Sequence, residues 1–160
     1  MLTVNIICIG KLKEKYWVDA IKEYSKRLSS FCRFSVIELS ECKVNNDPNE
    51  KQIQNILQEE GNAILQKIKP TDYTIAMCIE GKNISSPQLA NLIDNVQIEG
   101  KSTVNFIIGG SWGLSDEVKQ RADYKLSMGK MTFPHQMARV MLTEQIYRSF
   151  QISSNGKYHK

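Results

Sequence analysis

Metal-binding side chains are scarce in this 160-residue sequence. It has two histidines, His135 and His159, and four cysteines, Cys8, Cys32, Cys42 and Cys78, with no CxxC pair among them. A zinc site needs several such ligands at close spacing, so no metal is expected. Cys8 and Cys78 lie inside apolar runs, where a free thiol behaves as a small buried hydrophobe. No apolar run approaches the roughly 20 residues of a membrane-spanning helix. The N-terminus lacks a signal-peptide layout, and the expected compartment is the cytoplasm, with no membrane partner. The nucleotide loops GxGxxG and GxxxxGK[ST] are both missing, which disfavours the common nucleotide folds. Repeats and low-complexity segments are also absent.

What is present suits one globular domain spanning 1–160. Hydrophobic residues make up 41% and charged residues 24% of the chain, an ordinary balance for a packed core and a wetted surface. The net charge is +4. That total supports a nucleic-acid partner only weakly, and the placement of the charge matters more.

Short β-rich runs alternate with helical stretches. Leu2–Ile9 reads as a strand ending at Gly10, and Tyr16, Trp17, Ala20, Ile21, Tyr24 and Leu28 then recur at helical spacing. Phe34–Leu39 is a second strand, and Ser40–Asn49 a polar loop. Asp47-Pro48 carries a cap-then-proline signal for a long helix, and Ser86-Pro87 repeats it for another. Tyr73–Ile79 and Thr103–Ile108 are strands, Ser115 caps a short helix, and Tyr124–Met128 is a weaker strand. A last helix, about His135–Ile152, precedes a polar tail. The fold class is therefore α/β, a mostly parallel sheet with helices on both faces. In the last helix Met137, Ala138, Val140, Met141, Leu142, Ile146, Tyr147 and Phe150 spread around most of the circumference. Such a helix is either central in the core or shared with a second subunit, and a symmetric homodimer is the favoured reading.

Ligands of open α/β sheets gather beyond the carboxyl ends of the strands. Three segments lie there: Met77–Lys82, the glycine loop Gly109–Gly113, and the turn Met128–Pro134. The glycine loop either lets a ligand touch backbone or simply makes a tight connection. The last turn is half apolar, and it is either buried under another segment or lines a pocket for a flat ring. The tail Lys157-Tyr158-His159-Lys160 combines cations, a ring that stacks on bases and an imidazole; a frayed terminus is the plainer reading. His135 caps or packs. Arg139 and Arg148, on the apolar helix, each pair with an acid, a partner subunit or a phosphate. Lys11, Lys13 and Lys15 form a basic patch that a solvated face accounts for.

At these residues the sequence resembles the SPOUT superfamily of RNA methyltransferases, in the branch that methylates N3 of a pseudouridine in large-subunit ribosomal RNA. The resemblance runs nearly end to end. It is carried by Gly10-Lys11, Glu80-Gly81-Lys82, Phe106-Ile107-Ile108-Gly109-Gly110 with Gly113, Leu114 and Ser115, Thr132-Phe133-Pro134-His135 with Arg139, and Tyr158-His159. Many members carry Pro-Glu or a similar pair between the glycines; this chain has Ser111-Trp112. The resemblance implies a C-terminal trefoil knot whose loops hold S-adenosylmethionine. The cofactor contacts fall on Met77, Gly109, Met128, Gly129, Lys130, Met131, Thr132 and Phe133. It further implies a homodimer in which one subunit's tail lies beside its neighbour's cofactor. Tyr158 and His159 would then be catalytic, while Arg139, Lys157 and Lys160 contact RNA or order the site. The implied substrate is the helix 69 loop of 23S ribosomal RNA in the assembled ribosome. Three readings compete with this one: a ribosome-associated RNA-binding protein without catalysis, a small nucleotide or flavin carrier with a similar sheet, which the missing phosphate fingerprints disfavour, and a tRNA methyltransferase of the same superfamily.

Overall fold

Largely apolar runs such as Thr3–Ile9 and Thr103–Ile108 mark strands covered on both faces, and they sit within a parallel sheet of five strands. The computed structural model describes residues 1–160. In chain order the elements are β1 (Thr3–Ile9), α1 (Lys15–Leu28), β2 (Arg33–Leu39), α2 (Glu50–Leu65), β3 (Tyr73–Asn83), α3 (Ser86–Ile98), β4 (Thr103–Ile108), α4 (Asp116–Arg121), β5 (Tyr124–Ser127) and α5 (His135–Ser153). The strand order is β2-β1-β4-β3-β5, every pair parallel, with Thr3 opposite both Arg33 and Thr103. The expected α/β class is what the chain adopts.

Alternation along the strands divides the core in two. Val4, Ile6, Ile75 and Phe106 face one side and pack with Leu28, Ile93, Leu142, Ile146 and Phe150 from α1, α3 and α5. Ile7, Ile9, Ala76 and Ile107 face the other and meet Ile64, Leu114 and Val118, which belong to α2 and the α4 region. Helix α5 contacts both α3 and α1, which places it centrally in its layer. That position buries Leu142, Ile146 and Phe150, while Met137, Ala138, Val140, Met141 and Tyr147 stay partly exposed in one chain. The positions it buries include Arg139, Thr143 and Ser149 as well as Leu142, Ile146 and Phe150.

Beyond shifts of one residue at strand ends, two helix caps and one strand end differ from the sequence reading. Helix α2 opens at Glu50 rather than at Asp47-Pro48, because Asn49 and Gln52 exchange side-chain bonds with each other's backbone N–H, at 2.8 and 2.9 Å. This capping box satisfies two free donors together, whereas a proline removes only one. Ser85, not Ser86, caps α3 for the same reason, with Gln88 as its partner and Pro87 inside the first turn. Strand β3 continues to Asn83 instead of stopping at Ile79, through a register shift between Met77 and Lys82.

The terminus is not frayed. Asn155, at φ +57°, reverses the chain, and the Gly156 N–H returns to the Gln151 carbonyl at 2.7 Å. Tyr158 then packs edge-on against Tyr147, ring centres 4.9 Å apart.

Candidate cofactor pocket and tail

Parallel strands deliver all their carboxyl ends to one edge of the sheet, and three backbone devices shape that edge. After β4 the chain folds tightly on itself, with the Gly113 N–H on the Gly110 carbonyl at 3.1 Å and Gly113 at φ +83°. A Cβ at Gly109 would lie 2.6 Å from the Gly113 carbonyl carbon, so only glycine fits there. At the bulge in β3, a Cβ on Gly81 would lie 2.7 Å from the Leu126 backbone, which requires the same absence of a side chain. After β5, the Ser127 hydroxyl accepts from the Gly129 N–H at 3.1 Å and sets the last turn.

These devices enclose a cavity of about 410 Å³, with a wall that is more than half hydrophobic residues. Met77, Gly109, Met128, Gly129, Met131, Thr132 and Phe133, all expected at a cofactor, line it together. Lys130 does not; its side chain is exposed to solvent. Ile108, Leu126, Ala138 and His135, missed by sequence reasoning, also line the cavity, as does Trp112 within the glycine loop. Ile108 and Leu126 read as core because their strands are buried. His135, expected to cap or pack, makes no capping bond and faces the cavity instead.

Few charges enter this site. The carboxylate of Glu80 meets the Lys119 ammonium at 2.6 Å, a hydrogen bond that holds the Glu80 carboxyl below its ordinary range and raises Lys119. The Cys78 thiol, on the wall, is pushed up first by burial and then by Glu80, so it is protonated at neutral pH and is no nucleophile. No group of three or more His, Cys, Asp or Glu side chains is placed to hold a metal.

The tail lies elsewhere. The Tyr158 hydroxyl donates to Glu144 Oε1 at 3.1 Å, and Arg148 sits 4.8 Å from the Tyr158 ring centre. Arg148 Nη1 meets His159 Nδ1 at 3.1 Å, and its Nη2 pairs with Glu144 at 2.7 Å. Burial, then hydrogen bonds with Tyr24 and Glu144, push the Tyr158 phenol up to about 12. Lys157 and Lys160 are exposed. The cavity meets α5 at His135 and Ala138, whereas the tail docks near Arg148, about 15 Å further along at 1.5 Å per residue. Within one chain the two groups of expected site residues stay apart.

Of the pairings expected for Arg139, the structure shows the one with an acid. It is 1% exposed, with Nη1 on Glu38 Oε2 at 2.7 Å and Nη2 on the Gly10 carbonyl at 3.2 Å. A guanidinium so placed offers a phosphate nothing; it ties α5 to the ends of β1 and β2.

A family model described as "Predicted SPOUT methyltransferase" matches residues 2–159. The chain belongs to the SPOUT methyltransferase family. Among curated relatives of this SPOUT methyltransferase, one from Oenococcus oeni is 48% identical over 160 residues, covering all of both chains. Others from Clostridium perfringens and Clostridium novyi are each 50% identical over 159 residues, covering 99% of this chain and all of theirs. These three proteins carry the name ribosomal RNA large subunit methyltransferase H. Among solved structures, a methylase family protein from Haemophilus influenzae superposes with a TM-score of 0.55 at 12% identity, over 98% of this chain and 70% of that one. At that identity it supports the fold alone. A methyltransferase requires a methyl donor, and a cavity of about 410 Å³ has room for one.

Proposed function

We propose that the protein transfers the methyl group of S-adenosylmethionine to N3 of a pseudouridine in the helix 69 loop of 23S ribosomal RNA, on assembled ribosomes in the cytoplasm, as a homodimer. The observation that carries this reading is the cavity. Seven residues expected at a cofactor from three distant segments line one space, in a chain about half identical over full length to proteins named as ribosomal RNA large subunit methyltransferases.

The residues present fit the donor. About 410 Å³ lies within the ~300–1,000 Å³ usual for small-molecule sites. Gly109 brings bare backbone to the cavity, and Met128–Phe133 supplies an apolar wall whose backbone, apart from Gly129 held by Ser127, can meet the edge of a flat ring. When bound, the sulfonium supplies an electrophilic methyl carbon. The protein's share is then alignment and proton removal, and alignment alone reaches effective molarities of about 10⁵ M or more. Tyr158 stays protonated near neutral pH and its hydroxyl donates to Glu144, so it offers the base a ring to stack on, while the N3 proton goes to water or, once that nitrogen leaves Arg148, to His159 Nδ1. Lys157 and Lys160 meet phosphate. The partner subunit's tail fills the role, since a chain's own tail lies along α5 away from its own cavity. Ile79, Trp112 and Met131, on the cavity wall, are 65%, 43% and 74% exposed. An apolar rim of this kind suits cover by a second subunit and a bound ligand. The segment after β4, which runs to the sheet edge at β5 and returns to the centre in α5, is the one taken to be threaded as the knot.

Mass spectrometry of ribosomal RNA from a strain lacking the protein tests this reading. One methyl should vanish from the helix 69 loop and return on re-expression. An unchanged loop with a methyl lost from tRNA would move the substrate elsewhere. Calorimetry with S-adenosylmethionine alone tests the cavity, and no heat of binding would sink the cofactor assignment.

A further inference from the structure

Arg139 is a buried cation on the first turns of α5, and its side-chain partners lie at the ends of β1 and β2. Glu38 Oε2, which holds Arg139, also accepts the Leu12 N–H at 3.1 Å. The Lys13 N–H donates to Gln136 Oε1 at 2.9 Å, one residue from His135 on the cavity wall. Gly10, at φ +89°, turns the chain into this clamp. Connecting segments at strand ends are ordinarily held loosely at the surface, and burying a guanidinium to fix one carries a desolvation cost. The bonds hold Gly10, Leu12 and Lys13, and the segment so held presents Lys11 and Lys13 and leads directly into Lys15 and Tyr16 at the start of α1.

Lys11 and Lys13 are exposed and have no carboxylate partner, whereas Lys15 is paired with Asp19 at 2.6 Å. Glu14 is the one acid within the segment, and Glu41, at the end of the neighbouring strand, bonds to Ser111. Tyr16 is 62% exposed and is held edge-on by Trp17, ring centres 4.9 Å apart. Two free ammonium groups beside a propped, open aromatic face match the chemistry of single-stranded RNA, with cations for phosphates and a ring for a base.

We propose that Lys11–Trp17, clamped to α5 by Arg139 and Glu38, is an RNA-contact surface beside the cavity, with Lys11 and Lys13 on phosphates and Tyr16 stacked on an unpaired base. This rests on the reading above that the substrate is RNA. It also gives Arg139 a place in RNA binding, as a residue that positions the surface without touching the ligand.

The test uses the full-length protein and 70S ribosomes from a strain lacking it. Binding is measured across a salt series for wild type, for Lys11→Ala/Lys13→Ala, for Lys11→Arg/Lys13→Arg and for Tyr16→Ala. The double alanine variant should bind at least tenfold more weakly at low salt. Its slope of log affinity against log salt should be shallower by about 1.5, since each phosphate contact contributes about 0.7–0.9. The arginine pair should keep the wild-type slope, and Tyr16→Ala should weaken binding without changing the slope. In methyl transfer, KM for ribosomes should rise while kcat and S-adenosylmethionine affinity hold. An unchanged affinity and slope in the double alanine variant would overturn the inference. Wild type that binds ribosomes but transfers no methyl would sink the proposed function while the slopes still decide the surface. Wild type that binds no ribosome sinks both.

Discussion

A methyl group added at Gly109 would press against the Gly113 carbonyl carbon at 2.6 Å, and backbone on the far side of a tight loop has little freedom to yield. Gly109→Ala should therefore distort the cavity wall. We expect a stability loss of about 1–3 kcal/mol in urea titrations, the usual range for overpacking, and at least a tenfold loss of S-adenosylmethionine affinity by calorimetry. Arg139 and Glu38 are coupled just as locally. Removing the guanidinium leaves Glu38 without its partner, but Glu38 is 34% exposed and stays partly hydrated. Arg139→Ala should then cost about 3 kcal/mol, the low end for breaking a buried pair. Glu60 shows the opposite sign. It is buried, its Oε1 has no partner, and desolvation, with Glu41 and Glu59 nearby, raises its carboxyl. A carboxyl raised on folding contributes most stability when protonated, and that contribution is lost as pH rises through its folded value. Glu60→Gln should melt higher than wild type at pH 7, with the advantage shrinking as pH falls toward the ordinary carboxylate range. Equal melting temperatures at pH 7 would count against the buried charge.

Among the elements, the strands were the most legible, because burial on both faces leaves continuous apolar runs that periodicity cannot disguise. The starts of α2 and α3 were not. Asp47-Pro48 and Ser86-Pro87 look like caps, but the reciprocal bonds of Asn49 with Gln52 and Ser85 with Gln88 form only once the backbone is placed. Two of the cavity's three turns announced themselves by glycine or misplaced apolar residues. Its remaining wall did not, since Ile108 and Leu126 are core residues whose ends happen to face a void. An acid was among the partners expected for Arg139, but Glu38 could not be named, because it stands 101 residues away. The bulge in β3 was hidden inside Glu80-Gly81-Lys82, and it yields a prediction of its own. Gly81→Val would push β5 off β3, since there is no room for a side chain above Leu126. Native-state hydrogen exchange should then quicken at Lys125–Ser127 while β1 and β4 stay protected. Uniform quickening throughout the sheet would mean that β5 opens with the whole fold.

At the scale of the whole molecule the decisive fact is a separation. The cavity touches the first turns of α5, and the tail docks three turns later on the same helix. If catalysis needs both, two chains must supply them, and this can be tested without locating the interface. One variant lacks residues 158–160 and keeps its cavity; another carries Gly109→Arg and keeps its tail. Each alone should be inactive on ribosomes. Mixed in equal amounts and allowed to exchange subunits, half of the dimers become mixed, and each of those holds one complete site. Activity should recover to about one quarter of the wild-type level, as a two-fold symmetric pair with composite sites requires. A mixture that stays inactive despite demonstrated subunit exchange would place tail and cavity in the same chain. The terminus would then have to leave Tyr147 and Glu144 to reach its own cavity. In that case substitutions at Glu144 that release Tyr158 should raise kcat, whereas in the composite arrangement they should lower it by loosening the tail presented to the neighbour.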